Sequence, residues 1–299
     1  MISLRKGGAN TVLLKKLRTW LELVKFEHTI FALPFAYGGA FLAARGWPTW
    51  HQFLWITVAM VGARTAAMSV NRLVDRRLDA ANPRTAGRHL PAGKTSPAEV
   101  AALVIVSVLL LGLSAWQLNP LCLALFPAAV LMLIIYSFTK RWTWLCHLVL
   151  GLTDAWAPFG GWIAVTGRFE WGAVFLALAV ALWVGGFDIL YALQDLDFDR
   201  TNRLFSIPAR FGVRGALVQA RTWHGAVVLL LGLLGWMLHL NWIYWVGWFA
   251  VAVILHFEHE LVKGGDLSKL NAAFFNMNGY MSVVYFLFTA TAVVAMRAV

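Results

Sequence analysis

The sequence predicts an all-α protein embedded in a membrane, and three observations carry that reading. Of its 299 residues, 60% are hydrophobic, and the mean hydropathy is +0.69. Soluble domains do not reach such values, so the bilayer is the solvent. The apolar residues fall in nine stretches, each near the roughly 20 residues that a spanning helix needs. Polar residues gather between the stretches, mostly on one side. The expected fold is a polytopic bundle of nine transmembrane helices forming one domain, residues 1–299.

The elements follow in order. Residues 11–25 read as an interfacial helix: Leu13, Leu17, Trp20, Leu21 and Val24 form an apolar stripe, with Lys15, Lys16, Arg18, Glu22 and Lys25 off it. That pattern suits a helix lying on an anionic membrane surface. The first span is centred near Phe35 and runs from about Phe26 to Ala44, with no signal-cleavage pattern after it. The second, near Ala63, leaves the bilayer through NRLVDRRLD and is followed by a loop over 75–97. The third and fourth, near Leu109 and Leu131, are joined by a short turn. The fifth, near Ala157, carries Pro158, Gly160, Gly161 and an internal Asp154, which either lines a cavity or satisfies a broken helix. The sixth, near Leu182, ends in YALQDLDFD and opens a second long loop over 195–215. The seventh, eighth and ninth are centred near Leu229, Ala250 and Val284. His256, Glu258, His259 and Glu260 close the eighth in a spacing that matches no zinc motif, so they read as an interfacial end. Trp47, Trp50, Trp116, Trp171, Trp242 and Trp245 cluster at the opposite, outer ends as an aromatic belt.

The formal charge of +11 raises the possibility of nucleic acid, and its distribution removes it. With the N-terminus inside, all lysines and arginines except Arg45, Arg64, Arg168 and Arg297 fall on the inner side. This is the positive-inside pattern, which predicts a cytoplasmic N-terminus. Cys122 and Cys146, the only cysteines, belong near opposite faces, so neither a disulfide nor a structural zinc site is expected.

The chemistry gathers at the two inner loops. Asp75 and Asp79, and again Asp195 and Asp199, are four residues apart, so each pair shares a helix face. A lone pair of this kind at a helix end is more often a solvated face bound to nearby arginines. Here each pair continues inward. Arg64, Asn71, Asp75 and Asp79 follow spacings of seven, four and four, and Asp188, Asp195 and Asp199 follow seven and four. Asp197 and Arg77 fall outside the pattern. Arg64 lies about 10 Å deeper than Asn71 at 1.5 Å per residue. A lipid-facing charge at that depth costs at least about 2.5–3.5 kcal/mol, so the stripe should face a polar cavity. Mg²⁺ prefers hard oxygens and keeps several waters, so two carboxylate pairs plus phosphate oxygens suffice to hold it on a diphosphate. Arg76, Arg84, Arg88, Lys94, Lys140 and Arg200 supply compensating positive charge. Lys140 and Arg141 close a span, a position that commonly serves only as a topogenic anchor.

At these residues the chain resembles the UbiA superfamily of intramembrane prenyltransferases over nearly its whole length. The family motif NDxxDxxxD appears as NRLVDRRLD, giving Asn71, Asp75 and Asp79, with Arg72 replacing the expected Asp. The second motif, DxxxD, is Asp195 and Asp199; a YxxxK element matches Tyr136 and Lys140; an arginine seven residues before the first motif matches Arg64. The segments KFEHTIFALPFAYGG and GGFDILYALQDLDFDR are most similar to the bacterial 4-hydroxybenzoate polyprenyltransferase branch, some members of which prenylate 1,4-dihydroxy-6-naphthoate for menaquinone.

The resemblance implies two four-helix bundles and a ninth helix around a central cavity, capped by cytoplasmic loops in a bacterial inner membrane. It implies Mg²⁺ held by Asn71, Asp75, Asp79, Asp195 and Asp199. Arg84, Arg88, Tyr136, Lys140 and Arg200 would steady a polyprenyl diphosphate. Arg64 would orient the acceptor's carboxylate, and Asp188 or Asp195 would assist loss of its proton. A transporter, a lipid-phosphate transferase and a haem O synthase-type prenyltransferase are the competing readings. The carboxylates argue against transport, because they gather beside the basic loops rather than at the midplane where transporter sites lie.

Overall fold

The computed structural model of the protein describes residues 19–20, 22–23, 29–263, 270 and 276–297. Most of the expected interfacial helix over 11–25 lies outside them. The described residues form helices and turns and no strand: α1 (Thr29–Ala44), α2 (Trp50–Ala81), α3 (Pro97–Leu118), α4 (Pro120–Thr139), α5 (Cys146–Asp154), α6 (Trp156–Thr166), α7 (Trp171–Ala192), α8 (Leu196–Thr201), α9 (Ile207–Met237), α10 (Trp242–Leu261) and α11 (Asn278–Arg297). A 3₁₀ turn, Leu193–Asp195, links α7 to α8.

Local chemistry sets the helix ends. The first amides of a helix lack internal partners and need side-chain acceptors. Thr49 with Gln52, and Ser96 with Glu99, form reciprocal capping boxes at the starts of α2 and α3. Asn119, Ser206 and Asn241 cap α4, α9 and α10. Pro97 and Pro120 sit at first helical positions, where no amide hydrogen is needed.

Seven segments among the described residues are long and apolar enough to cross a bilayer: α2, α3, α4, α5 with α6, α7 with α8, α9 and α11. The other two expected spans are weaker. α1 has 16 described residues, and α10 closes with a strongly polar last turn. The count of nine is therefore not established by length and composition. The chain is a multi-pass membrane protein, and large apolar side chains such as Leu109, Leu229 and Phe249 are exposed on its outer surface.

Three other boundaries differ from expectation. α2 continues to Ala81, so Asp75 and Asp79 lie within it and the loop is confined to 82–96. The fifth span is broken at Ala155, beside Asp154 and Pro158. The second loop is largely helical, holding α8 and the first turns of α9, which is kinked at Gly212 with φ 70°.

The helices pack as α2 on α3, α7 on α9, α1 on α6, α5 on α7, and α11 on both α1 and α10. Phe35 of α1 ties the elements at the centre, with ring centroids 4.7 Å from Trp183 and 5.0 Å from Tyr285. α1 and α6 cross by backbone contact. A Cβ at Gly39 would strike the carbonyl of Pro158, and one at Gly161 would strike that of Ala36. Gly161→Val is therefore expected to destabilise the fold by about 1–3 kcal/mol or more through overpacking. Gly160→Ala, which points into open space, is expected not to lower stability. Thermal unfolding of the two variants in detergent checks the contrast.

Candidate active site

A cavity of about 350 Å³ opens at the basic end between α2, α4, α5 and α7. Because α2 is unbroken, Arg64, Asn71, Asp75 and Asp79 keep their common face, and all four line the cavity. Asn71 donates from Nδ2 to Asp75 Oδ2 at 2.9 Å, and Arg141 Nη2 reaches Asp75 Oδ1 at 2.7 Å. Arg88 Nη1 donates to Asp79 Oδ1 at 2.6 Å. Arg72, the residue that departs from the family motif, is buried with its Nη1 3.9 Å from Asp79 Oδ2.

The second acidic group is arranged differently from its spacing. The 3₁₀ turn interrupts the helical register between Asp188 and Asp199, so the three acids do not form one stripe. Asp195 Oδ1 accepts from Asn82 Nδ2 and Arg84 Nε, both at 2.9 Å, and Arg84 Nη2 binds its other oxygen. Arg84 also donates to the Tyr191 hydroxyl at 2.9 Å. Asp199 is fully buried behind the cavity lining, with Lys140 Nζ 2.8 Å from its Oδ1. Asp188 lies deeper and holds His147 Nδ1 at 2.7 Å. His147 Nε2 accepts the backbone N–H of Ile207, which places the ring proton on Nδ1, facing Asp188.

The electrostatic rule is simple: each cavity acid has a partner. An ionised carboxylate in a low-dielectric site needs a cation or several hydrogen bonds. Burial alone would pull the ammonium of Lys140 down, but the charge of Asp199 outweighs it and the pKa is raised. Burial likewise opposes the Arg84 cation, and the hydrogen bond to Asp195 more than compensates. Both groups stay positive at neutral pH.

The expected residues are not all placed as the sequence implied. Arg84, Arg88, Tyr136, Lys140, Asp188 and Asp195 line the cavity. The Tyr136 hydroxyl is committed to the Ala67 carbonyl at 2.9 Å, which braces α4 against α2. Arg200 is excluded: it is exposed, and its Nε donates to the Ala209 carbonyl at 3.2 Å, outside the cavity. Its position after a DxxxD pair predicts a site facing only if α8 continues the register of α7, and the 3₁₀ turn prevents that. Asn82, Arg141 and His147 were missed. Asn82 ends α2 before a proline and reads as a helix cap; Arg141 reads as an anchor; His147 stands in no motif. His259 and Glu258, expected at an interface, are buried: His259 Nε2 lies 3.0 Å from His224 Nδ1, and Glu258 accepts from Asn278 Nδ2 at 3.0 Å.

Among the described residues, no three His, Cys, Asp or Glu side chains stand close enough to hold one metal ion together. The donor set still fits a hard divalent cation. It consists of oxygen ligands, and Asp79 Oδ2 is buried without a hydrogen bond; the buried Asp199 carboxylate has Lys140 Nζ 2.8 Å from its Oδ1. Mg²⁺ needs only one or two protein carboxylates when phosphate and water complete its shell.

The sequence profile of the UbiA prenyltransferase family matches residues 32–280. The chain belongs to the UbiA prenyltransferase family. It is therefore a prenyltransferase, a transferase enzyme. Among its UbiA relatives is a 4-hydroxybenzoate octaprenyltransferase of Klebsiella pneumoniae, 33% identical over 238 residues, covering 78% of this chain and 82% of the relative. Another from Vibrio campbellii is 29% identical over 277 residues, covering 90% and 95%. The fold matches the apo structure of a UbiA homolog from Aeropyrum pernix K1 with a TM-score of 0.81 and 33% identity, over 91% of this chain and 98% of that one. A UbiA homolog from Archaeoglobus fulgidus bound to DMAPP and Mg²⁺ shares the fold with a TM-score of 0.73 at 18% identity, over 93% and 99%.

Two UbiA site variants separate buried from surface charge. Lys140→Ala leaves the Asp199 carboxylate buried and unpaired, and is expected to cost about 3 kcal/mol of stability. Arg200→Ala is expected to stay within about 0.5 kcal/mol. Thermal unfolding in detergent, without substrate, reads both.

Proposed function

We propose that the protein transfers a polyprenyl group from polyprenyl diphosphate to a carbon of an electron-rich hydroxyarene, with Mg²⁺, at the cytoplasmic face of a bacterial inner membrane. The whole chain, residues 1–299, acts as one domain, with its N-terminus in the cytoplasm. The observation that carries the reading is the polarity gradient of one cavity. Asp75, Asp79, Asp195, Arg84, Arg88 and Lys140 line it from the side of the basic loops, and Phe35, Val180, Trp183, Val184 and Phe187 give it apolar walls, with Arg64, Asp154 and Asp188 set among them. A diphosphate with an apolar tail has that same gradient.

Asn71, Asp75, Asp79, Asp195 and Asp199 would hold Mg²⁺, which neutralises charge growing on the leaving diphosphate. Arg84, Arg88 and Lys140 grip the phosphate oxygens. The cations that pair with the acids in the resting protein thus exchange partners as substrate arrives. The C–O bond ionises to an allylic cation and diphosphate. The rings of Phe35, Trp183 and Phe187 stabilise the cation through their π-faces and exclude water that would quench it. The acceptor ring attacks, and Asp188, already oriented by His147, takes the proton that is lost; Asp195 is the alternative base. Arg64 meets the distal substituent of the acceptor. The relatives' names support 4-hydroxybenzoate as acceptor; 1,4-dihydroxy-6-naphthoate belongs to the same class. The pathway is accordingly ubiquinone or menaquinone synthesis, and mass spectrometry of the precursor that accumulates on removing the protein distinguishes them.

Asp75→Ala and Asp195→Ala are each expected to lower transfer by about 100-fold or more, with the protein still inserted. Chelating Mg²⁺ should stop release of diphosphate. Detection of a C–C bonded prenyl aromatic product checks the reaction; normal turnover in both variants refutes the metal roles. Arg64→Ala should raise the acceptor KM by roughly 10-fold or more, as expected for losing a charged hydrogen bond, and leave the diphosphate KM nearly unchanged. Steady-state kinetics with each substrate varied in turn measures this.

A further inference from the structure

The polar last turn of α10 is tied to the apolar wall of the cavity. Trp183 of α7 lines that wall and is 2% exposed. It meets Phe35 and Phe187 with ring centroids 4.7 and 5.0 Å away. Its indole Nε1 donates to Asn278 Oδ1 at 2.7 Å. Asn278 is buried at the start of α11 and does not line the cavity. The polar edge of the ring is therefore committed away from the cavity, which leaves the carbon framework to form the wall.

The surrounding network fixes Asn278. An indole N–H can only donate, so the amide oxygen faces Trp183 and the amide nitrogen faces the other way. There Glu258 Oε1 accepts from Asn278 Nδ2 at 3.0 Å. His224 of α9 holds the same tryptophan by its backbone. Its Nε2 donates to the Trp183 carbonyl at 3.2 Å, and its Nδ1 lies 3.0 Å from His259 Nε2. Glu258 Oε2 has no hydrogen bond and lies 3.5 Å from the same Nδ1. Polar groups buried this deeply are costly unless they serve one another.

One water suffices to quench an allylic cation. Its oxygen adds to the cation, a proton leaves, and a prenyl alcohol forms in place of the prenylated arene. A buried donor without a partner is unfavourable, so a free indole N–H on the wall would recruit such a water. Paired with Asn278, the N–H has no need of one. We propose that Asn278 is a positioning residue that draws the Trp183 N–H out of the cavity and keeps the wall dry, with Glu258 setting the orientation of Asn278. The inference rests on the reading that an allylic cation forms in this cavity. It goes further by giving a residue outside the cavity control of the competition between arene and water.

Two measurements on the purified full-length protein test this. The first needs no substrate. With isotope-labelled tryptophan, the indole N–H resonance absent from Trp183→Phe belongs to Trp183, and its exchange with deuterated water is followed. In Asn278→Leu that exchange should quicken by about 10-fold or more. The second counts products from geranyl diphosphate, Mg²⁺ and 4-hydroxybenzoate. The ratio of geraniol to prenylated arene should rise about 5-fold or more in Asn278→Leu, with both KM values nearly unchanged. Trp183→Phe has no N–H to expose, so adding Asn278→Leu to it should leave its ratio as it is. Asn278→Asp combined with Glu258→Gln exchanges donor and acceptor, and should restore slow exchange and the original ratio. Asn278→Ala carries the same expectation as Asn278→Leu if the latter does not fold. Unchanged exchange, an unchanged ratio despite quickened exchange, or a rise that persists in the Trp183→Phe background overturns the proposal. Failure of the exchanged pair to slow the exchange overturns the part assigned to Glu258. Quickened exchange with no prenylated arene from the unaltered protein, with either 4-hydroxybenzoate or 1,4-dihydroxy-6-naphthoate, overturns the proposed reaction and not the placement of the N–H.

Discussion

An ionised carboxylate in a slot walled by apolar helices must have a positive partner, and the architecture of this protein is organised around that constraint. Six acids, Asp154 among them, face or back the cavity, and most take a cation or a hydrogen-bond donor from another element. Arg141 reaches Asp75 from the end of α4, Arg84 reaches Asp195 from the 82–96 loop, Lys140 reaches Asp199, and His147 of α5 holds Asp188. Each pair is also a cross-link between segments distant in the chain. Charge compensation and tertiary organisation are therefore one requirement at the basic end. Elsewhere packing suffices, as where Phe35 stacks on Tyr285 and meets Trp183 at a tilt.

Much of the fold was legible because the bilayer imposes a coarse code. Twenty apolar residues, a cap and a short turn are hard to misread, and Ser96, Asn119 and Asn241 start their helices where the polar residues stand. Failures occur where backbone geometry departs from a regular helix. The break at Ala155 and the turn at Leu193–Asp195 leave weak traces in hydropathy, because a helix can break without changing composition when neighbours satisfy its backbone. The end of α2 was placed too early for a related reason. Charged residues suggest water, yet here they face a polar cavity and the helix continues to Ala81.

The site shows the same division. The stripe from Arg64 to Asp79 was readable because α2 is regular, so spacing maps onto one face. Arg200 was misplaced and Asp199 set behind the lining because the same spacing crosses a 3₁₀ turn. Asn82, Arg141 and His147 escaped notice because a cap, an anchor and a solitary histidine have ordinary explanations. Only proximity in space gives them partners. Glu258 and His259 illustrate the reverse error: charge at a helix end looked solvated, but α9 and α11 cover it with His224 and Asn278.

The two loops over the cavity are fastened by different means. The 82–96 segment reaches α7 only through side chains, with Asn82 and Arg84 on Asp195 and Arg84 on Tyr191. The segment after α8 is stitched to the end of α4 by main chain, since the Phe205 N–H donates to the Lys140 carbonyl at 2.8 Å. Main-chain bonds are indifferent to the ionic traffic in the cavity; side-chain pairs are not. The fastening of the 82–96 segment thus depends on the charge state of the cavity, whereas the main-chain tie of the opposite segment does not.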